Sequence, residues 1–249
     1  MNSETTVVLV TNNFPYYPGE YFLESEIQYW AKSNLNLIVM PNHYGNGNRR
    51  ALNNNIIVSD YLLINKKKNV VKKAFTFLRI IISKIFWLEI KKNHTKITFG
   101  FINSHIKRVS EILTKKNLFE KYLSSLKNAD KIVFYFYWYD LQSYAASIMN
   151  RKNNVKVISR AHGYDLYKER KANNYMPLKW QFVEKIDEVH AVSNQGKKYL
   201  QNTYYLDPVK VKISLLGVEG NNILSKQTSI SVFHILSCAS CIKLKRIDK

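Results

Sequence analysis

The sequence predicts an α/β fold in which a parallel β-sheet carries helices on both faces. Three observations predict it. Apolar runs of strand length recur along the chain, stretches with helical apolar spacing lie between them, and the strand runs are rich in β-branched and aromatic residues throughout, as strands buried on both faces are.

The first strand is placed at 6–11 (TVVLVT) and is followed by a turn built on Pro15, Pro18 and Gly19. The helix expected at 20–32 carries Glu20 and Glu24 in its first turn, where acidic groups suit the helix dipole. Further strands are expected at 35–40, 131–137, 155–159, 188–192 and 211–215, and helices at 141–151, 179–185 and 194–203. Ser193 is a good N-cap for the last helix, and His190, alternating with apolar neighbours, reads as a structural residue. After Leu216-Gly217-Val218 the pattern turns polar over 220–229 and then starts a new apolar strand at 230–236. Residues 1–216 are therefore read as one domain, and 217–249 as a linker with the first strand and loop of a second. The second is expected to be incomplete, because about thirty residues fall short of a domain.

A hydrophobic fraction of 46% supports a real core, and Lys+Arg 38 against Asp+Glu 18 gives a formal charge of +20. Such an excess implies an anionic partner: nucleic acid, an acidic membrane surface or a phosphorylated small molecule. No nucleic-acid partner is expected, since the tyrosines and phenylalanines sit in strand and helix patterns and are not interleaved with lysines on one exposed face. The N-terminus lacks a basic segment followed by a long apolar one, so the expected location is cytoplasmic. Cys238 and Cys241 form a Cys-x-x-Cys that could be redox-active or half of a zinc site. Without a second ligand pair or a Trp or Pro context they read as strand-end residues.

Residues 65–92 form a basic amphipathic stretch. At 100° per residue Val70, Ala74, Phe77, Leu78, Ile81, Ile85 and Leu88 share one face, opposite Lys72, Thr76, Arg79 and Ser83. Such a helix either packs on the sheet with a solvated basic face or lies on an anionic membrane.

Two strand ends carry candidate chemistry. In open α/β sheets ligands bind beyond the carboxyl ends of strands, and the run ISRAHGYD places Arg160, His162, Gly163 and Asp165 just past the strand at 155–159. After the first strand, Pro18, Gly19 and Glu20 precede a helix start whose free N–H groups could cradle an anion or a sugar hydroxyl, or simply make a tight turn.

Taken in order, FPYYPGEYFLESEI, RAHGYD, DEVHAVSNQGKKYL, VKISLLGVE and ILSCASCIKLKRID resemble the family 4 glycosyltransferases of the two-Rossmann-domain (GT-B) architecture, most closely the bacterial enzymes that build lipopolysaccharide, capsule or exopolysaccharide. The resemblance implies a Rossmann-like acceptor-side domain followed by the opening of a nucleotide-sugar-binding domain. It implies a retaining transfer from a nucleotide-sugar to a glycan or lipid-linked acceptor at the inner face of the cytoplasmic membrane, with no cofactor and no metal. Carried onto this chain, Pro18, Gly19 and Glu20 lie near donor phosphates and acceptor. His162 faces the transferred sugar, at the cleft edge and outside the core, with Asp165 behind it; Arg160, Gly163 and Ser193 complete the binding set. Lys245 and Arg246 neutralise the departing diphosphate, where fixed cations favour the transition state over the ground state. The chain departs from the family at Ala239 and Ser240, where a further basic residue is usual, and it does not contain the family's paired glutamates. Activity of the chain alone is therefore expected to be weak or absent. The alternative is a membrane- or partner-binding domain without catalysis.

Overall fold

A computed structural model describes residues 5–64, 78–126 and 129–217. Seven strands form one sheet in the order β3-β2-β1-β4-β5-β6-β7, and every neighbouring pair is parallel. They are β1 (Thr5–Thr11), β2 (Asn36–Pro41), β3 (Ile57–Val58), β4 (Lys131–Phe136), β5 (Val155–Ala161), β6 (Glu188–Ala191) and β7 (Val211–Ile213). All strands expected within these residues are present, with ends displaced by one or two positions. The two-residue β3 had no sequence signal.

Alternation along the strands divides the core in two. Val8, Val10, Phe134, Phe136 and Val157 point to one face, where α4 (Phe99–Ser125), α5 (Leu141–Ser147), α7 (Lys179–Phe182) and α8 (Asn194–Tyr204) cover them. Phe119 of α4 meets Phe134 and Phe136 edge-on at 5.9 and 5.4 Å. Val7, Leu9, Tyr135 and Tyr137 point to the other face, covered by Leu23 and Ile27 of α1 (Phe22–Ala31), while Trp30 stacks on Tyr135 at 5.7 Å. The parallel sheet with helices on both faces is thus present.

The strand order reverses between β1 and β4, so their crossovers leave in opposite directions, and it is beyond the carboxyl ends at such a reversal that open α/β sheets place a ligand crevice. Short helices α2 (Tyr61–Ile64) and α6 (Gly163–Leu166) complete the layers. No expected element covers α4: its apolar positions are broken by basic residues, and it buries His105 and Lys115 as well as Val109 and Ile112.

The amphipathic stretch departs from expectation. Residues 65–77 lie outside the described residues; beyond them the helix is not continuous. It breaks at Ser83, which has extended backbone (φ −74, ψ 124), and restarts as α3 (Lys84–Lys92). The break turns the apolar face, so Phe86 and Glu89 are buried while Leu78 and Ile81 are exposed. Among the described residues no helix is long and apolar enough to cross a membrane.

Candidate functional site at the strand reversal

The loop after β1 is closed by one of its own carboxylates. Successive N–H groups of Asn12, Asn13 and Phe14 donate to Glu20 at 2.9, 2.8 and 2.7 Å, and the Trp138 indole N–H donates to Glu20 Oε1 at 2.6 Å. Glu20 is 7% exposed and left-handed at φ 52, a conformation that a side chain holds only when its surroundings fix it. Gly19, at φ 103, supplies the preceding turn. Arg50 clamps the loop from outside: its Nη groups donate to the carbonyls of Tyr16 (3.0 Å) and Gly19 (2.9 Å), its Nε to Glu24 (2.5 Å), and its guanidinium lies 3.8 Å from the Tyr17 ring. The N–H groups that meet an anion belong to Asn12, Asn13 and Phe14, not to the helix start after Gly19 where a cradle was expected, and the anion is Glu20 itself. As a group offered to donor phosphate, Glu20 is corrected.

His162 is corrected too. Strand β5 runs two residues past its expected end, to Ala161, so His162 follows it directly and stays in the aromatic layer. The residue is 7% exposed, and its ring lies 4.7, 5.2 and 5.8 Å from those of Trp138, Tyr137 and Phe22. Its Nε2–H donates to the Tyr137 carbonyl at 3.0 Å. Burial, aided by the Arg160 charge, pulls its pKa down to about 4, so the ring is neutral near pH 7. It supports the crevice floor and does not stand at its edge.

Asp165 sits behind it, buried, accepting the backbone N–H of His162 at 2.6 Å and of Tyr139 at 2.8 Å. Lys179, fully buried, donates to the Asp165 carbonyl and lies 3.9 Å from the Tyr139 ring. Burial raises the Asp165 carboxyl and lowers the Lys179 ammonium, each held back by the other's charge. Asp165 ties β5 to the end of β4, a positioning role instead of the expected catalytic one.

Arg160 is 1% exposed, with Nη1 on Glu26 (2.5 Å) and Nη2 on the carbonyls of Ser214 and Leu215 (3.0 and 3.1 Å). Its Nη groups fasten β5 to α1 and to the chain after β7, and its Nε is buried without a partner among the described residues. A Cβ on Gly163 would meet only the end of the Arg170 side chain, which can move aside. Ser193 caps α8 by accepting the Gly196 N–H at 3.0 Å, the capping half of its expected role. The His190 ring lies tilted against Tyr135 at 5.8 Å beside Glu188, as a structural residue does. Lys245, Arg246, Cys238 and Cys241 lie outside the described residues.

What the reversal brings together is a set that strand-end polarity alone did not single out. Asn12 and Asn13 leave β1, while Trp138, Asp140 and Gln142 leave β4. Gln142 Nε2 donates to Asn12 Oδ1 at 3.4 Å, whereas Gln142 Oε1 is buried without a partner among the described residues. Asp140 accepts the Gln142 N–H at 3.0 Å, and burial, reinforced by the charges of Asp165 and Glu111, raises its pKa to about 7. Phe22, Trp138, Asn12, Asn13 and Asp140 are each half-buried, and the Phe22 and Trp138 rings meet edge to face at 6.3 Å. Among the described residues no three His, Cys, Asp or Glu side chains converge as metal ligands would. The sequence signal was available: Asn12-Asn13 and Trp138-Tyr139-Asp140 follow strands just as His162 does.

The chain matches no family model, and it matches no curated protein.

Proposed function

We propose that the chain is the acceptor-side domain of a retaining, sugar-nucleotide-dependent glycosyltransferase acting on a glycan or lipid-linked acceptor. One observation carries the reading: the strand ends at the β1/β4 reversal carry half-buried Asn12, Asn13, Trp138 and Asp140, with the Phe22 ring beside Trp138. Sugars need both kinds of contact. Ring faces take the C–H surface of a pyranose, while carboxamide and carboxyl groups pair with its hydroxyls. A carboxyl titrating near pH 7 can either accept from a hydroxyl or donate to a ring oxygen, the property sought in a group that handles protons.

In this reading residues from 217 onward open the nucleotide-sugar half, and Lys245 and Arg246 meet the departing diphosphate. The test is transfer of label from UDP- and GDP-sugars into a lipid or polysaccharide acceptor, with Asp140→Asn as the comparison. A large drop in the variant supports the reading, whereas transfer indifferent to Asp140 removes it.

A second reading has its own support. Glu20, Arg160 and His162 are all engaged by the protein itself, which suits a domain that binds a glycan without transferring one. Glycan binding with no donor consumption, across the same sugar panel, selects this alternative.

A further inference from the structure

Residues 78–92 are held to the domain from one side and left bare on the other. Inward, Phe86 stacks on His105 at 5.1 Å and Ile80 is buried. Glu89, fully buried, accepts from the Tyr175 hydroxyl (2.5 Å), the Leu178 N–H (3.0 Å), the Trp180 indole (2.5 Å) and the Gln181 carboxamide (2.9 Å). These contacts fix the bend at Ser83 and decide which side chains face out. Leu78, Ile81, Ile82 and Trp87 are exposed, Ile82 by 72% and Trp87 by 54%. They are neighbours in space as well as in sequence, since the Trp87 indole N–H donates to the Ile81 carbonyl at 2.5 Å. Single exposed apolar residues are ordinary; four on one braced bend are not.

Charge indicates what covers them. Lys84, Lys91 and Lys92 are exposed on the same segment, Arg79 is half-exposed, and its one acid, Glu89, is buried and paired. An apolar tip carrying a tryptophan and rimmed by cations complements an anionic lipid surface: the tip enters the headgroup region by about 5–10 Å and the cations meet lipid phosphates.

We propose that the bend at Leu78–Trp87 is a docking tip for anionic membranes. It differs from a long amphipathic helix lying flat, because the contact is a short wedge braced by Glu89 and Phe86. It requires nothing of the crevice and stands whether or not the chain transfers sugar.

Sedimentation of the full chain with sucrose-loaded phosphatidylcholine vesicles, with and without phosphatidylglycerol, tests it. Binding is expected only with phosphatidylglycerol and should weaken with salt. Ile82→Ser and Trp87→Ser should each lower the bound fraction about tenfold or more, with melting temperatures unchanged. Tyr205→Ser, at a side chain 82% exposed elsewhere, should do nothing. Brominated phosphatidylglycerol should quench tryptophan emission in the wild type, and the quenching should disappear in Trp87→Phe while binding persists. The quenching arm decides the matter if the serine variants fold poorly. Equal binding to neutral vesicles, no binding to either, absence of quenching, or salt-sensitive binding indifferent to both serine variants would overturn the proposal; retention of a protein partner in place of vesicles would do the same.

Discussion

The Trp138 indole N–H donates to Glu20 Oε1 at 2.6 Å, joining the loop after β1 to the loop after β4 across the line where strand order reverses. The same carboxylate takes three successive backbone N–H groups, so one side chain sets the shape of the crevice floor.

Glu20→Ala leaves those donors without their carboxylate, the buried Phe14 N–H among them. Its expected effect is a loss of about 3 kcal/mol or more in denaturant unfolding, because an unsatisfied buried donor costs its full desolvation. Glu20→Gln should also destabilise, since its amide presents N–H to N–H on one side. Added acetate should partly restore Glu20→Ala by refilling the cradle, and stability of Glu20→Ala equal to wild type would show that the loop closes without the carboxylate.

His162 predicts a pH effect of definite sign. Unfolded, the imidazole takes its proton near pH 6.5; folded, only near 4. Between these values the unfolded chain holds more protons, so the contribution is full above about pH 6.5 and is lost as pH falls toward 4, by about 3 kcal/mol. His162→Gln should remove this component, so unfolding curves of variant and wild type should converge on acidification. A constant gap between them from pH 7 to pH 4 would mean that the ring is not buried neutral.

The Arg160–Glu26 pair gives an asymmetric expectation. Glu26→Ala strands a guanidinium that is 2% exposed and should cost about 3–5 kcal/mol, whereas Arg160→Met with Glu26→Leu should recover most of that. Additive single effects in a double-mutant cycle would refute the coupling.

Most of the fold was legible because burial writes itself into the strands: VVLV and IVFYF are unbroken apolar or aromatic runs and VKVIS nearly so, as strands buried on both faces are. Helix α4 was not, because Lys115 and His105 occupy its buried side and interrupt the apolar stripe. The candidate site was half legible. A polar residue after a strand looks the same in sequence whether it faces a cleft or is paired beneath it. Arg160 meets Glu26, 134 positions away, and Trp138 meets Glu20, 118 positions away; neither pairing leaves a local trace. Nor does the sequence state that β4 returns beside β1, the one topological fact that moves attention from His162 to Asn12 and Asp140.

The crevice itself is tested most directly by saturation-transfer NMR with methyl pyranosides and short oligosaccharides on wild type, Phe22→Ala and Asp140→Asn. Asp140→Asn keeps an acceptor for the Gln142 N–H and should fold at least as stably at pH 8, because the folded carboxyl, raised to about 7, resists ionisation there. Saturation is predicted at the sugar ring protons in wild type, with affinity lowered about tenfold in each variant. No transfer to any sugar, or equal transfer in wild type and both variants, would contradict the assignment of the β1/β4 crevice as a sugar site.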